Sequence, residues 1–159
     1  MKKLTVLLWI FALLLSASSC SIPSGRHIVT RQDKVLASIG EYENKQFWRH
    51  GWFQDFTDFG IYTFASANLE DNPYFSVVTE EDIVTIDGYI AHFEKCIDSL
   101  KTKDPADKLV LHYAFDHSII DTGDFFYIYK DDHFFQYSDY DLWFFDVQTN
   151  TLYYFHYNI

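Results

Sequence analysis

Cysteine is scarce in this chain of 159 residues, which contains only Cys20 and Cys96. A small secreted protein that is held together by disulfides needs several pairs, so that class is excluded. Cys96 lies beside an apolar stripe with helical spacing. We therefore predict that it is a small buried side chain and not a reactive thiol.

Positive charge is also scarce, since 12 lysines and arginines face 23 aspartates and glutamates. Residues 1–19 contain two of the lysines and no acid, so a chain that begins at Cys20 holds 10 basic and 23 acidic residues, a net charge of −13. Nucleic acid phosphates would be repelled by this surface, which excludes a nucleic-acid-binding protein. A basic protein would be attracted, although many proteins are acidic only to stay dispersed in solution.

Motifs of known catalytic or metal sites are missing. The chain has no G-x-S-x-G elbow, no P-loop and no G-x-G-x-x-G, and its seven histidines do not fall into zinc-ligand spacings. Two acidic loop clusters, at 116–124 and 131–133, lack the calcium-loop pattern and are predicted to be solvated turns. The sequence therefore predicts no metal and no cofactor, and it favours a protein that is not an enzyme.

One long hydrophobic run is present, from Leu4 to Leu15, with only Thr5 polar and with Lys2 and Lys3 before it. A membrane-spanning helix needs about 20 apolar residues, so this run is too short to cross a bilayer. Its length and its positive start are typical of a signal peptide.

The run ends in Ser16, Ala17, Ser18, Ser19 and then Cys20, which resembles the lipobox of bacterial lipoproteins, although that family more often has leucine where Ala17 stands. The resemblance implies that residues 1–19 are removed, that Cys20 is lipidated (palmitate is one such chain), and that 20–30 form a tether to the membrane of the cell envelope. In a cell with two membranes, Ser21 implies the periplasmic face of the outer membrane; otherwise the plasma membrane is expected. The alternative is an ordinary secretory signal peptide.

Apolar periodicity predicts two amphipathic helices. The first covers 32–45. The second covers 83–100, where six apolar residues recur at steps of three and four, with Thr79 and Asp82 resembling a capping arrangement before it. These six residues are Ile83, Ile86, Ile90, Phe93, Ile97 and Leu100.

Alternating and aromatic segments predict strands. Two aromatic strands or a hairpin are expected from 47–56 and 61–65, with a turn at 58–60. Further strands are expected at 74–78 and 109–115, and a C-terminal meander at 125–130, 140–147 and 151–157. We therefore predict a single α+β domain over residues 31–159, with an antiparallel sheet of about five strands.

The last hairpin is predicted in the most detail. Residues 146–150 resemble the D-x-x-T-G hairpin turn, with Asn150 at the position that requires positive φ. Opposite residues then have numbers that sum to 297, and both faces of the hairpin are apolar. One face is assigned to the 83–100 helix. The other is covered by N-terminal elements of this chain or by a partner.

These patterns lead to a hypothesis about function. We expect an envelope lipoprotein that binds another macromolecule without catalysis, for example an inhibitor or immunity protein against a basic protein. The alternatives are a small envelope hydrolase that uses Asp and His residues, and a structural component of an envelope assembly. The candidate binding residues are aromatic side chains of the C-terminal sheet: Tyr127, Tyr129, Tyr137, Tyr140, Trp143 and Tyr154.

Overall fold

The aromatic C-terminal third of the chain supplies the central strands of the sheet. The computed structural model describes residues 30–52, 55–130 and 137–158. The elements in chain order are α1 (Arg31–Ile39), β1 (Asn44–Trp52), β2 (Asp55–Thr63), β3 (Ser76–Val77), α2 (Glu80–Lys103), α3 (Lys108–His112), a 3-10 helix (His117–Ile119), β4 (Phe125–Lys130), β5 (Asp139–Asp146) and β6 (Thr151–Asn158).

The sheet has six strands in the order β1-β2-β6-β5-β4-β3, and every neighbouring pair is antiparallel. The predicted α+β class is confirmed, with six strands in place of about five. Residues Arg31–Ile159 form one unit by their internal contacts. Since β2 pairs with β6, the N-terminal hairpin extends the C-terminal meander into one continuous sheet.

The predicted β5–β6 hairpin is confirmed in turn and register. Trp143 lies opposite Tyr154 and Phe145 opposite Leu152, as the sum of 297 requires. Asn150 has a φ of 50°, in the left-handed region that asparagine tolerates. The Asp146 carboxylate accepts hydrogen bonds from the Gln148 amide at 2.8 Å and the Thr149 hydroxyl at 2.6 Å, which closes the turn.

Residues 109–115 were predicted as a strand, and this is wrong, because α3 occupies the first part of that segment. The Asp107 carboxylate accepts a hydrogen bond from the Leu109 amide at 2.7 Å and so caps the N-terminus of α3. Leu109 is fully buried, whereas Leu111 is 63% exposed. The alternation of leucines in this stretch therefore did not mark one face of a sheet.

Two predicted boundaries near the N-terminus are also wrong. The expected turn at 58–60 lies inside β2, where the Asp58 carboxylate pairs with Arg49 across the strands. Among the described residues, β1 ends at Trp52 and β2 begins at Asp55. Helix α1 stops at Ile39 and not near Lys45, because Gly40 takes a φ of +130° that ends the helical path.

Helix α2 covers one face of the sheet and confirms the predicted amphipathic stripe. Ile86, Ile90 and Phe93 are fully buried in a cluster with apolar residues of β2, β5 and β6. Gly88 does not interrupt the helix, which runs for 24 residues. The predicted capping arrangement forms, since the Asp82 carboxylate accepts from the Thr79 amide at 3.0 Å and from the Thr79 hydroxyl at 2.6 Å.

Helix α1 covers part of the opposite face. Val35 and Leu36 pack in a second cluster that contains Tyr62, Trp143 and Tyr154. The prediction that N-terminal elements of this chain cover the second face of the hairpin is therefore confirmed for these residues. Both faces of β5 and β6 are thus buried by the chain itself.

Several predictions concern residues that the structure does not describe. The signal peptide (1–19) and the tether (20–30, except Thr30) lie outside the described residues, as do Asp131, Asp132 and His133. Within the described ranges, none of the helices combines the length and the hydrophobicity that crossing a bilayer requires.

Candidate functional site

The six aromatic residues that the sequence singled out do not form one exposed surface. Tyr140 and Trp143 are fully buried and Tyr154 is 4% exposed, so an exposed position is wrong for these three side chains. The Tyr140 hydroxyl donates a hydrogen bond of 3.2 Å to the backbone carbonyl of Tyr89 in α2. Trp143 and Tyr154 lie in the cluster beneath α1.

Tyr127, Tyr129 and Tyr137 are half-buried and lie on two different sides of the sheet. Tyr127 stacks on Trp143 with ring centroids 5.0 Å apart, on the α1 side. Tyr137 contacts Tyr89 of α2 at 5.0 Å, on the other side. Binding by these three residues remains a prediction, but they belong to separate patches.

A row of polar side chains crosses the α1 side of the sheet near one end of the strands. Its five members lie directly opposite one another on five consecutive strands. We call it the charged row: Arg49 of β1, Asp58 of β2, His156 of β6, Asp141 of β5 and Tyr129 of β4. Asp58, Asp141 and His156 are buried, with 1%, 6% and 8% of their surface exposed.

Each carboxylate of the charged row is held by several donors. Arg49 binds Asp58 through two hydrogen bonds of 2.7 Å, and this pairing raises the pKa of the guanidinium further. Asp141 accepts from Arg31 at 2.9 Å, from the Tyr154 hydroxyl at 2.8 Å and from His156 Nδ1 at 2.7 Å. Buried charge is costly unless it is paired in this way.

Two aromatic rings, those of Tyr129 and Phe56, pack against the cations that pair with the row. The Arg31 guanidinium carbon lies 3.0 Å from the Tyr129 ring centre, and the Arg49 guanidinium carbon lies 4.3 Å from that of Phe56. Phe56 also packs on His156 with centroids 4.6 Å apart. Burial, and next the charge of Asp141, raise the pKa of Tyr154 far above its ordinary value, so that this hydroxyl stays protonated and donates.

One nitrogen of the row has no partner. Because a carboxylate only accepts, the hydrogen bond between His156 Nδ1 and Asp141 places a proton on Nδ1. Among the described residues Nε2 has no hydrogen-bond partner, and it exposes less than 1 Å². A catalytic Asp–His pair has this arrangement, but here solvent does not reach Nε2.

One pair of the row could have been located from the sequence. The predicted register, in which opposite residues sum to 297, already places Asp141 opposite His156. Each is a polar residue between two apolar or aromatic neighbours, Tyr140 and Leu142 or Phe155 and Tyr157, and this is the signal in the sequence. The position of Asp58 could not be found in this way, because it depends on pairing between β2 and β6, which are far apart in the sequence.

Exposed carboxylates gather at the opposite end of the strands. Three stretches meet there: Gly123 and Asp124 exchange backbone hydrogen bonds with Val78, just before α2, and Glu70 and Gly123 line the same cavity. We call this region the acidic end, and the exposed acids of its segments are Glu70, Asp71, Glu80, Glu81, Asp87, Asp116 and Asp121. The sequence segments 50–94 and 109–129, which contribute them, contain no lysine or arginine.

Three surface cavities accompany these features. One of about 440 Å³ lies beside α1, and one of about 370 Å³ lies at the acidic end next to Val77 and Val147. A third, of about 350 Å³, lies between the C-terminal half of α2 and the ends of β1, β2 and β6. Neither Asp141 nor His156 lines any of these three cavities. In the described part of the chain, no three His, Cys, Asp or Glu side chains are grouped so that they could hold a metal ion.

No known protein family matches the chain, and the comparisons with curated proteins and with solved structures find no match either.

Proposed function

We propose that the protein is a lipid-anchored protein of the bacterial cell envelope whose globular domain binds a basic protein without catalysis. The lipobox-like residues before Cys20 support the anchor. The observation that supports the binding function is the acidic end, where seven exposed carboxylates lie on segments that contain no lysine or arginine.

The physical argument for a basic partner is electrostatic. Like charges that share one end of a domain add their potentials, and such a field raises the rate at which an oppositely charged protein arrives. Val77 and Val147 are 51% and 45% exposed beside Glu70, so the same end offers apolar contact area. An inhibitor or immunity protein against a basic toxin would use a surface of this kind.

The hydrolase alternative has weaker support. The described structure offers one buried Asp–His pair, Asp141 and His156, but a substrate would have to reach Nε2, which exposes less than 1 Å². The bonds from Arg31 and Tyr154 give Asp141 a structural role. Binding is therefore the better hypothesis.

The experiment compares two variants of equal charge in the source cell. One replaces acids of the acidic end (Glu70→Gln, Glu80→Gln, Glu81→Gln), and its matched control replaces three exposed acids elsewhere (Glu41→Gln, Glu43→Gln, Asp98→Asn). Full-length wild type should be labelled by radioactive palmitate, with the label lost in Cys20→Ala. It should also capture a basic envelope or secreted protein that elutes in moderate salt.

The acidic-end variant should lose this capture, and the control variant should keep it. Equal capture by wild type and by both variants would show that the acidic end is not the binding surface. An unlabelled wild type would remove the anchor but leave the binding result standing, so the two parts of the proposal fail separately.

A further inference from the structure

The cavity of about 350 Å³ beside α2 differs in charge from the rest of the molecule. Lys95 and Lys103 line it, and so does His50, which the Asp107 carboxylate holds at 2.8 Å. The chain has 12 lysines and arginines against 23 acids, so its overall charge is negative. Two lysines at one small cavity make the local charge positive. We call this the cationic cavity.

The two lysines of the cationic cavity form no ion pair with the acids in the described ranges. Among the described residues, neither Lys95 nor Lys103 has a carboxylate oxygen within the 4.0 Å of an ion pair. They lie eight residues apart on α2, with Ser99 between them on the same side of the helix. The cavity therefore presents two ammonium groups that a ligand could neutralise.

The remainder of the lining is mostly apolar. Leu100, Tyr157 and the half-buried Cys96 line the same space as the lysines. Burial raises the pKa of the Cys96 thiol, so that it stays neutral near pH 7 and acts as part of the apolar wall. An apolar wall with a few charged groups at one side is the usual composition of a site for a small molecule, and a volume of about 350 Å³ lies within the usual range.

We infer that the cationic cavity binds a small amphipathic carboxylate, with its apolar body against Cys96, Leu100 and Tyr157 and its carboxylate toward Lys95 and Lys103. This site is independent of the acidic end. The net negative charge of the chain does not prevent such binding, because charges farther than about 8 Å are largely screened at physiological ionic strength. The nearest charges therefore decide which ligand is accepted.

The test uses 3-phenylpropanoate as the probe and 3-phenylpropan-1-ol as its uncharged match. Isothermal titration calorimetry of the purified full-length chain should show millimolar or tighter binding of the acid and binding about tenfold weaker for the alcohol. Lys95→Gln with Lys103→Gln should weaken acid binding by about tenfold, since two charge-assisted contacts are lost. Lys101→Gln with Lys108→Gln has the same net charge, lies outside the cavity, and should bind as wild type does.

The position of the ligand is read at Cys96. Saturating acid should slow modification of Cys96 by N-ethylmaleimide, measured on the peptide that contains residues 96–101 so that Cys20 does not interfere. The inference is overturned if the acid does not bind below about 10 mM, if the alcohol binds as well, if both lysine pairs have equal effects, or if Cys96 is not protected.

Discussion

At the scale of single residues, the charged row shows how a polar group becomes part of a hydrophobic sheet. Asp141 lies among aromatic residues and is 6% exposed, yet it accepts hydrogen bonds from Arg31, Tyr154 and His156. Three donors replace the water that the carboxylate loses on burial. The residue is therefore expected to matter for stability more than any exposed acid.

We expect Asp141→Asn to lower the free energy of unfolding by about 3 kcal/mol, because the asparagine NH₂ group would face donors and leave them unpaired. Urea unfolding measures this change. Asp98→Asn removes the same charge from an exposed position on α2 and should change the value by less than about 0.5 kcal/mol. Similar values for the two variants would show that the row contributes little to folding.

At the scale of elements, His117 connects the 3-10 helix to α2. Its Nδ1 contacts the Asp87 carboxylate, and its Nε2 lies 3.1 Å from Glu94, which also accepts from the Tyr113 hydroxyl at 3.2 Å. Burial alone would lower the pKa of His117, but the bonds to Asp87 and Glu94 outweigh it and raise the pKa above its ordinary 6.5. The protonated ring is thus favoured by the folded state.

A raised pKa in the folded state has a defined effect on stability. The contribution of His117 is fully present below pH 6.5, the value for the unfolded chain, and it is lost as the pH rises through the folded-state pKa. We therefore expect wild type to exceed His117→Gln in unfolding free energy at pH 5.5, with the difference shrinking by pH 8.5. Urea unfolding of both proteins at the two pH values measures it, and a difference that grows with pH would contradict the assigned contacts.

The elements also differ in how far the sequence could predict them. Helix α2 and the β5–β6 hairpin were predicted because periodicity or turn chemistry repeats over many residues. Helix α3 was missed because five residues are too few to separate a helix from a strand, and its capping by Asp107 depends on one side chain. The fold could therefore be predicted as a class, but the burial of Asp58 and Asp141 depends on strands that pair from distant parts of the chain.

At the scale of the whole molecule, α1 and α2 pack on opposite faces of the same strands. Helix α1 packs against residues of β5 and β6 on one face, such as Trp143 and Tyr154, and α2 packs against residues such as Phe144 and Phe155 on the other. Loss of packing on one face would expose the back of strands that support the other face. The described domain should accordingly unfold as one cooperative unit.

This cooperativity can be tested with Leu36→Ala, which truncates a side chain of α1 that is 8% exposed. We expect a loss of about 3 kcal/mol in unfolding free energy, because a buried leucine leaves a cavity. Unfolding is followed by far-UV circular dichroism. This signal reports mainly on α2, because α2 has 24 residues and α1 only nine. Lys34→Ala, at an exposed site of the same helix, should leave the transition in place. In a cooperative domain, the transitions seen by circular dichroism and by tryptophan emission should fall together in Leu36→Ala, because α1 and α2 share the same strands. If only the transition seen by tryptophan emission moved to milder conditions, the two faces would unfold separately.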